Sequence, residues 1–243
     1  MKGNCWGLCA VGAAASSVFG QHGGDVGLSV TDAAIRTNDR VYLADFGELA
    51  ANFTDEPGFD CIPGTFAPGS ALGFTAHGAL QKWNGSGFAI AEERLEIGFG
   101  GVLSALTPLD NSDVFGFSLP VGANGQWHRH LEYTLQAPAT DGAYLLALSL
   151  ASSDTGLAPS EVFYIVFNQN LNELQHDKAA QWVRDNLLLQ PCRADWDGSG
   201  GVDGDDVIAF FADWDVSDAD YDGSGGTDGD DVIAFFSAWD RGC

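Results

Sequence analysis

Two stretches near the C-terminus repeat each other at a period of 25 residues. They are Asp195-Trp196-Asp197-Gly198-Ser199-Gly200-Gly201 through Asp206, and Asp220-Tyr221-Asp222-Gly223-Ser224-Gly225-Gly226 through Asp231. Each runs into the same segment, Asp-Asp-Val-Ile-Ala-Phe-Phe. A repeat this close is a duplicated structural unit. Oxygen donors fall where a calcium loop of about twelve residues needs them. Asp195, Asp197 and Ser199 take positions 1, 3 and 5, the Gly201 carbonyl position 7, Asp203 position 9 and Asp206 position 12, with Gly200 making the turn at position 6. The second loop repeats the set with Asp220, Asp222, Ser224, Gly226, Asp228 and Asp231. Four carboxylates in one loop repel one another, so the loop closes only around a hard cation that accepts about six to eight oxygens, which describes calcium better than magnesium. Two Ca2+ ions are therefore expected, with binding and folding coupled.

Charge distribution supports a separate C-terminal unit. The 243 residues carry 34 acidic and 10 basic side chains, a net charge of -24. Residues 192–243 hold 14 of the acids and two arginines, so half the net charge lies in that segment. This balance excludes nucleic acid as a partner, because phosphate recognition needs clustered Lys and Arg. A hydrophobic content of 45% nonetheless separates the chain from acidic disordered tails. The composition shift sets a boundary near Pro191, giving a targeting segment over 1–20, a large domain over 21–190 and an acidic module over 191–243.

Lys2 followed by an apolar, small-residue run from Trp6 to Phe19 reads as a signal peptide, with Val18 and Gly20 small enough for cleavage before Gln21. The run is too short to span a bilayer, and no transmembrane segment is expected elsewhere. The mature chain is expected to be secreted, periplasmic or at the cell surface. In an oxidising compartment Cys192 and Cys243 could clasp the acidic module, while Cys61 is expected to be a buried small hydrophobe.

Gln190-Pro191-Cys192-Arg193-Ala194 cannot supply a helix before the first loop, so only the exiting helices remain. They carry Val207, Ile208, Phe210, Phe211 and Trp214 in one and Val232, Ile233, Phe235, Phe236 and Trp239 in the other. Loop, helix, linker, loop, helix, with Asp rather than Glu at position 12, resembles a dockerin domain. The resemblance implies two pseudo-symmetric EF-hand-type calcium sites and a helical surface that docks to a cohesin-like protein or cell-surface scaffold. At loop positions 10 and 11 this chain has Gly204-Asp205 and Gly229-Asp230, where cellulosomal dockerins often carry Ser or Thr.

The larger region alternates short apolar runs with Gly, Pro, Asn and Asp turns, which predicts an antiparallel β-sandwich. Strands are expected at 26–30, 40–44, 72–76, 94–98, 114–119, 127–135, 144–151 and 162–167, the last two central. One closing helix is expected over 171–188, capped by Asn170 with Glu173 completing a capping box, and packing Leu171, Leu174, Trp182 and Val183 on the sheet. The fold class expected is thus mainly β, followed by a small α module with two calcium loops.

Within 127–135, strand alternation puts His128, His130 and Glu132 on one face and Leu131, Tyr133 and Leu135 on the other. Two imidazoles about 7 Å apart along a strand can converge on one transition metal. The order His22-Gly-Gly-Asp25, Phe53-Thr-Asp-Glu-Pro-Gly-Phe-Asp60, Gly69-Ser-Ala-Leu-Gly-Phe74, Trp83-Asn-Gly85, His128-x-His130, Gly142-Ala-Tyr-Leu-Leu146 and Phe163-Tyr-Ile-Val-Phe-Asn168 resembles exported proteins repressed by the zinc-uptake regulator Zur, many of which end in a PEP-CTERM sorting tail. Here the acidic module stands in place of that tail. The resemblance implies a role in metal supply or tolerance and a Zn2+ site at His22, His128 and His130, with Asp25, His77 or Glu132 as further ligands.

No nucleophile elbow, His-Glu-x-x-His or phosphate loop appears, and Glu92, Glu93 and Glu96 read as a solvated acidic face. The expectation is a non-enzymatic, secreted metal-binding protein. The alternative is a glycan-binding or accessory module of a polysaccharide-degrading system, with Trp83, Phe88 and Trp127 stacking on sugars.

Overall fold

The computed structural model describes residues 24–188, 194–199 and 201–239. The signal-peptide segment, His22, Gly200, Cys192 and Cys243 lie outside the described residues. The chain is mainly β, with three sheets and three α-helices among those residues. The strands are β1 (Val26–Thr31), β2 (Ala34–Thr37), β3 (Val41–Asp45), β4 (Phe53–Thr54), β5 (Phe59–Asp60), β6 (Ala71–His77), β7 (Gln81–Trp83), β8 (Phe88–Ile90), β9 (Leu95–Phe99), β10 (Leu103–Leu106), β11 (Asp113–Pro120), β12 (Glu132–Leu135), β13 (Gly142–Ser152) and β14 (Phe163–Gln169).

The two most continuously apolar runs become the antiparallel pair β13–β14 at the centre of the largest sheet, ordered β11-β6-β13-β14-β3. Continuous rather than alternating apolarity marks a strand buried on both faces. On one face Tyr144, Leu146, Leu148, Ile165 and Phe167 join the main core. On the other, Ala143, Leu145 and Val166 lie under Ala179, Ala180 and Val183 of helix α1 (Glu173–Val183). A second sheet runs β10-β9-β12-β4 and a third β2-β1-β5.

Two pairings depart from the antiparallel expectation: β14 with β3, and β1 with β5, are parallel. Parallel neighbours are joined by long connections, so their pairing leaves no trace in local turn sequence. The strand expected over 127–135 is shorter, with only Glu132–Leu135 in a ladder and a single bridge from Arg129 to Phe59 before it. The segment still alternates, since Trp127, Leu131, Tyr133 and Leu135 are buried while His128, His130 and Glu132 are half-buried.

The closing helix starts later than expected. Asn172, not Asn170, caps it, accepting the Gln175 N–H, and α1 gives way at Arg184 to one π-helical turn, Arg184–Leu188. Asn170 is in the left-handed region (φ 59°), which removes it from the cap, and its amide donates to Asp141. Leu174, expected on the sheet, is exposed, and His176 takes an inward position with Nε2 2.8 Å from the Val166 carbonyl oxygen.

In the acidic module, α2 (Gly204–Trp214) and α3 (Gly229–Trp239) pack around Phe210 and Phe235. These rings stack at 4.2 Å with planes 6° apart, a face-to-face meeting of equivalent residues from the two repeats. Trp196 closes the same cluster edge-on against both.

Candidate metal centres

The repeated acidic loops share the hydrogen bonding around their last aspartate. Asp206 Oδ1 and Oδ2 accept the N–H groups of Asp197 (3.1 Å) and Asp203 (2.7 Å), and Asp231 accepts those of Asp222 (2.9 Å) and Asp228 (2.7 Å). Ser199 N–H donates to Asp197 and Ser224 N–H to Asp222. In the second loop Gly225 adopts φ 95° and donates its N–H to Asp220 Oδ2 at 3.0 Å, a backbone conformation that a side chain would strain. Asp195, Asp197 and Asp206 bring carboxylate oxygens within 4.8 Å of one another, as do Asp220, Asp222 and Asp231.

Asp203 and Asp228, assigned to position 9, each accept a backbone N–H of the following helix, from Asp205 and Asp230. Of the other assigned loop ligands, Ser199 and Ser224 are tied to Asp197 and Asp222 by their backbone N–H groups, and Gly201 and Gly226 follow in the same loops. Burial pushes the Asp206 carboxyl up, but the N–H donors of Asp203 and Asp197 outweigh it and hold its pKa below the ordinary value. The donors on Asp222 and Asp228 do the same for Asp231. Both carboxylates are thereby kept ionised and oriented.

The histidine face divides. His128 and His130 lie with ring centroids 5.3 Å apart, as strand alternation predicted. His128 Nδ1 sits 3.2 Å from Asp60, a buried carboxylate that also accepts from the Cys61 N–H and the Gln126 amide. His130 turns the other way, toward Glu56, with Nδ1 3.5 Å from Oε1 and 3.1 Å from the Asp55 carbonyl oxygen. Its ring lies directly over Gly58, where an added Cβ would stand 2.6 Å from Cε1. Asp25, Glu56 and His130 form a group whose ligand atoms all fall within 4.8 Å of one another.

Of the further ligands weighed from sequence, Asp25 joins His130, but His77 and Glu132 do not. His77 is engaged by Asp113 and Ser149 on the large sheet, and Glu132 accepts the Gly100 N–H. Glu56 was missed by sequence reading. It lies within the Phe53–Asp60 motif, but only the return of the 53–60 segment beside β1 and the histidine strand brings it to the site. Cys61 is buried as expected, its sulfur accepting the Trp127 N–H at 3.1 Å.

Trp127 is not a stacking platform, because it is buried and its Nε1 donates to the Leu119 carbonyl. Trp83 and Phe88 face Trp182 of α1 at 6.1 and 5.6 Å from its ring, respectively. Glu93 is not on a solvated face either. It is buried, accepting from Thr140 with Lys82 3.8 Å away. No protein-family profile, curated protein or solved structure matches the chain.

Proposed function

We propose that this chain is an exported, non-enzymatic metal-binding protein. Its C-terminal unit is a dockerin-like module, organised by two calcium ions, that attaches or assembles a zinc-binding β domain. The observation carrying this reading is the agreement of two independent loops, 25 residues apart, on one pattern: a position-12 carboxylate clamped by two N–H groups beside two more carboxylates. Such a pattern concentrates carboxylate oxygens within one short loop, and a divalent cation is its natural complement. Ile208 and Ile233, at equivalent positions of α2 and α3, are exposed together with Phe211, which supports a role for these helices in meeting a cohesin-like partner. Among the described residues no helix is long and apolar enough to cross a membrane, in keeping with attachment through the module.

Calcium titrated into the chelated full-length protein should bind with a stoichiometry of two and increase helical circular dichroism. Asp206→Ala should leave one ion bound. An unchanged spectrum with no binding heat would overturn the calcium reading.

A further inference from the structure

The β domain carries a second kind of cation site, built from different residues than the histidine pair suggested. We propose that Asp25, Glu56 and His130 bind a divalent transition-metal ion of the zinc class. This deepens the zinc reading of the β domain and is independent of the calcium reading.

Three separate observations converge on this corner. The first is proximity, since one ligand atom from each of the three side chains lies within 4.8 Å of the others. Ligand atoms around tetrahedral zinc stand about 3.4 Å apart, so closure needs a contraction of at most about 1.4 Å. Glu56, whose side chain is 45% exposed, can supply that by rotation.

The second is an unmet charge. Asp25 is 6% exposed; its Oδ1 accepts the Gly58 N–H, while Oδ2 is buried without any hydrogen-bond donor. A buried carboxylate oxygen left bare costs roughly 1–3 kcal/mol or more. Among the described residues no Lys or Arg forms an ion pair with Asp25 or Glu56. A divalent cation would satisfy both carboxylates at once.

The third is the cradle. His130 Nδ1 lies 3.1 Å from the Asp55 carbonyl oxygen; a proton on Nδ1 donated there, the support that metal-bound imidazoles usually have, leaves Nε2 as the atom for the metal, and Gly58 leaves space for the ring that any side chain would fill. One nitrogen and two carboxylates is a donor set for zinc, iron or manganese rather than for calcium. An open cleft lined by Gly24, Asp45, Glu48 and Glu56 gives the site a solvent-facing side.

The test is zinc titration, by calorimetry, of full-length protein stripped of transition metals and saturated with calcium. Wild type should bind one zinc ion. Asp25→Asn and Glu56→Gln should each weaken that binding at least about tenfold, while His128→Ala should leave it near wild type. Glu56 is partly exposed, so Glu56→Gln reports even where Asp25→Asn compromises folding. Cobalt substitution gives a second readout, in which loss of the visible ligand-field bands in Glu56→Gln marks the carboxylate as a ligand. If both carboxylate variants bind zinc like wild type and His128→Ala does not, the assignment to Asp25, Glu56 and His130 is wrong while the zinc reading stands. If wild type binds no zinc, both fall.

Discussion

Gly58 has no side chain because the His130 ring fills the space above it. Gly58→Ala must displace that ring, and the expected cost is about 1–3 kcal/mol of stability, read from urea denaturation midpoints. Zinc affinity should fall with it. A second residue-scale expectation concerns the tyrosines. Burial pushes Tyr42 up to about 12 from an ordinary value of 10.0, and it raises Tyr133 and Tyr144 as well. The folded state therefore keeps these hydroxyls neutral where the unfolded chain would ionise them. Their contribution is fully present below about pH 10 and is lost as pH rises from there toward 12, so denaturation midpoints should hold steady from pH 8 to 10 and then decline. At this scale the sequence was readable wherever spacing along one segment decided the outcome. His128 and His130 share a face because a strand alternates, and Asp206 and Asp231 turn inward because the loop register places them there. Glu56 was unreadable, because its partners Asp25 and His130 are remote in sequence.

Elements were legible in proportion to how local their causes are. The central strands β13 and β14 announced themselves by unbroken apolar runs, and α2 and α3 by a repeated apolar helix after each acidic loop. The β1–β2 hairpin was missed because its turn is Asp32-Ala33, both in the left-handed region (φ 52° and 54°) without a glycine to signal it. Asn170 misled for the reverse reason: it looks like a helix cap but serves as a left-handed turn residue, and Asn172 caps α1. Asn172→Ala should therefore cost about 1 kcal/mol, and Asn170→Ala should leave the helix start in place, which amide hydrogen exchange at Gln175 and His176 would distinguish. In the acidic module the Phe210–Phe235 stack is the shared keel of both repeats. Phe210→Ala should remove about 3–5 kcal/mol, enough to unfold a unit of this size, and calcium affinity at both loops should drop together rather than at the mutated repeat alone.

At the scale of the whole molecule, the charge has two roles. Half of the net -24 belongs to residues 192–243, where two bound calcium ions would cut the module's -12 to about -8. The remainder is spread over the β domain, where the Asp25–Glu56 pair concentrates two negative groups beside an imidazole. The largest sheet has an order of assembly written into it. β3 is laid down early in the chain, yet its ladder partner is β14, with Val41 opposite Tyr164 and Asp45 opposite Asn168. A chain emerging N-terminus first must hold residues 41–45 unpaired until more than a hundred further residues have followed. The largest sheet cannot be completed on the ribosome before β14 is released, so release of the last strand is the moment at which β3 gains its ladder partner.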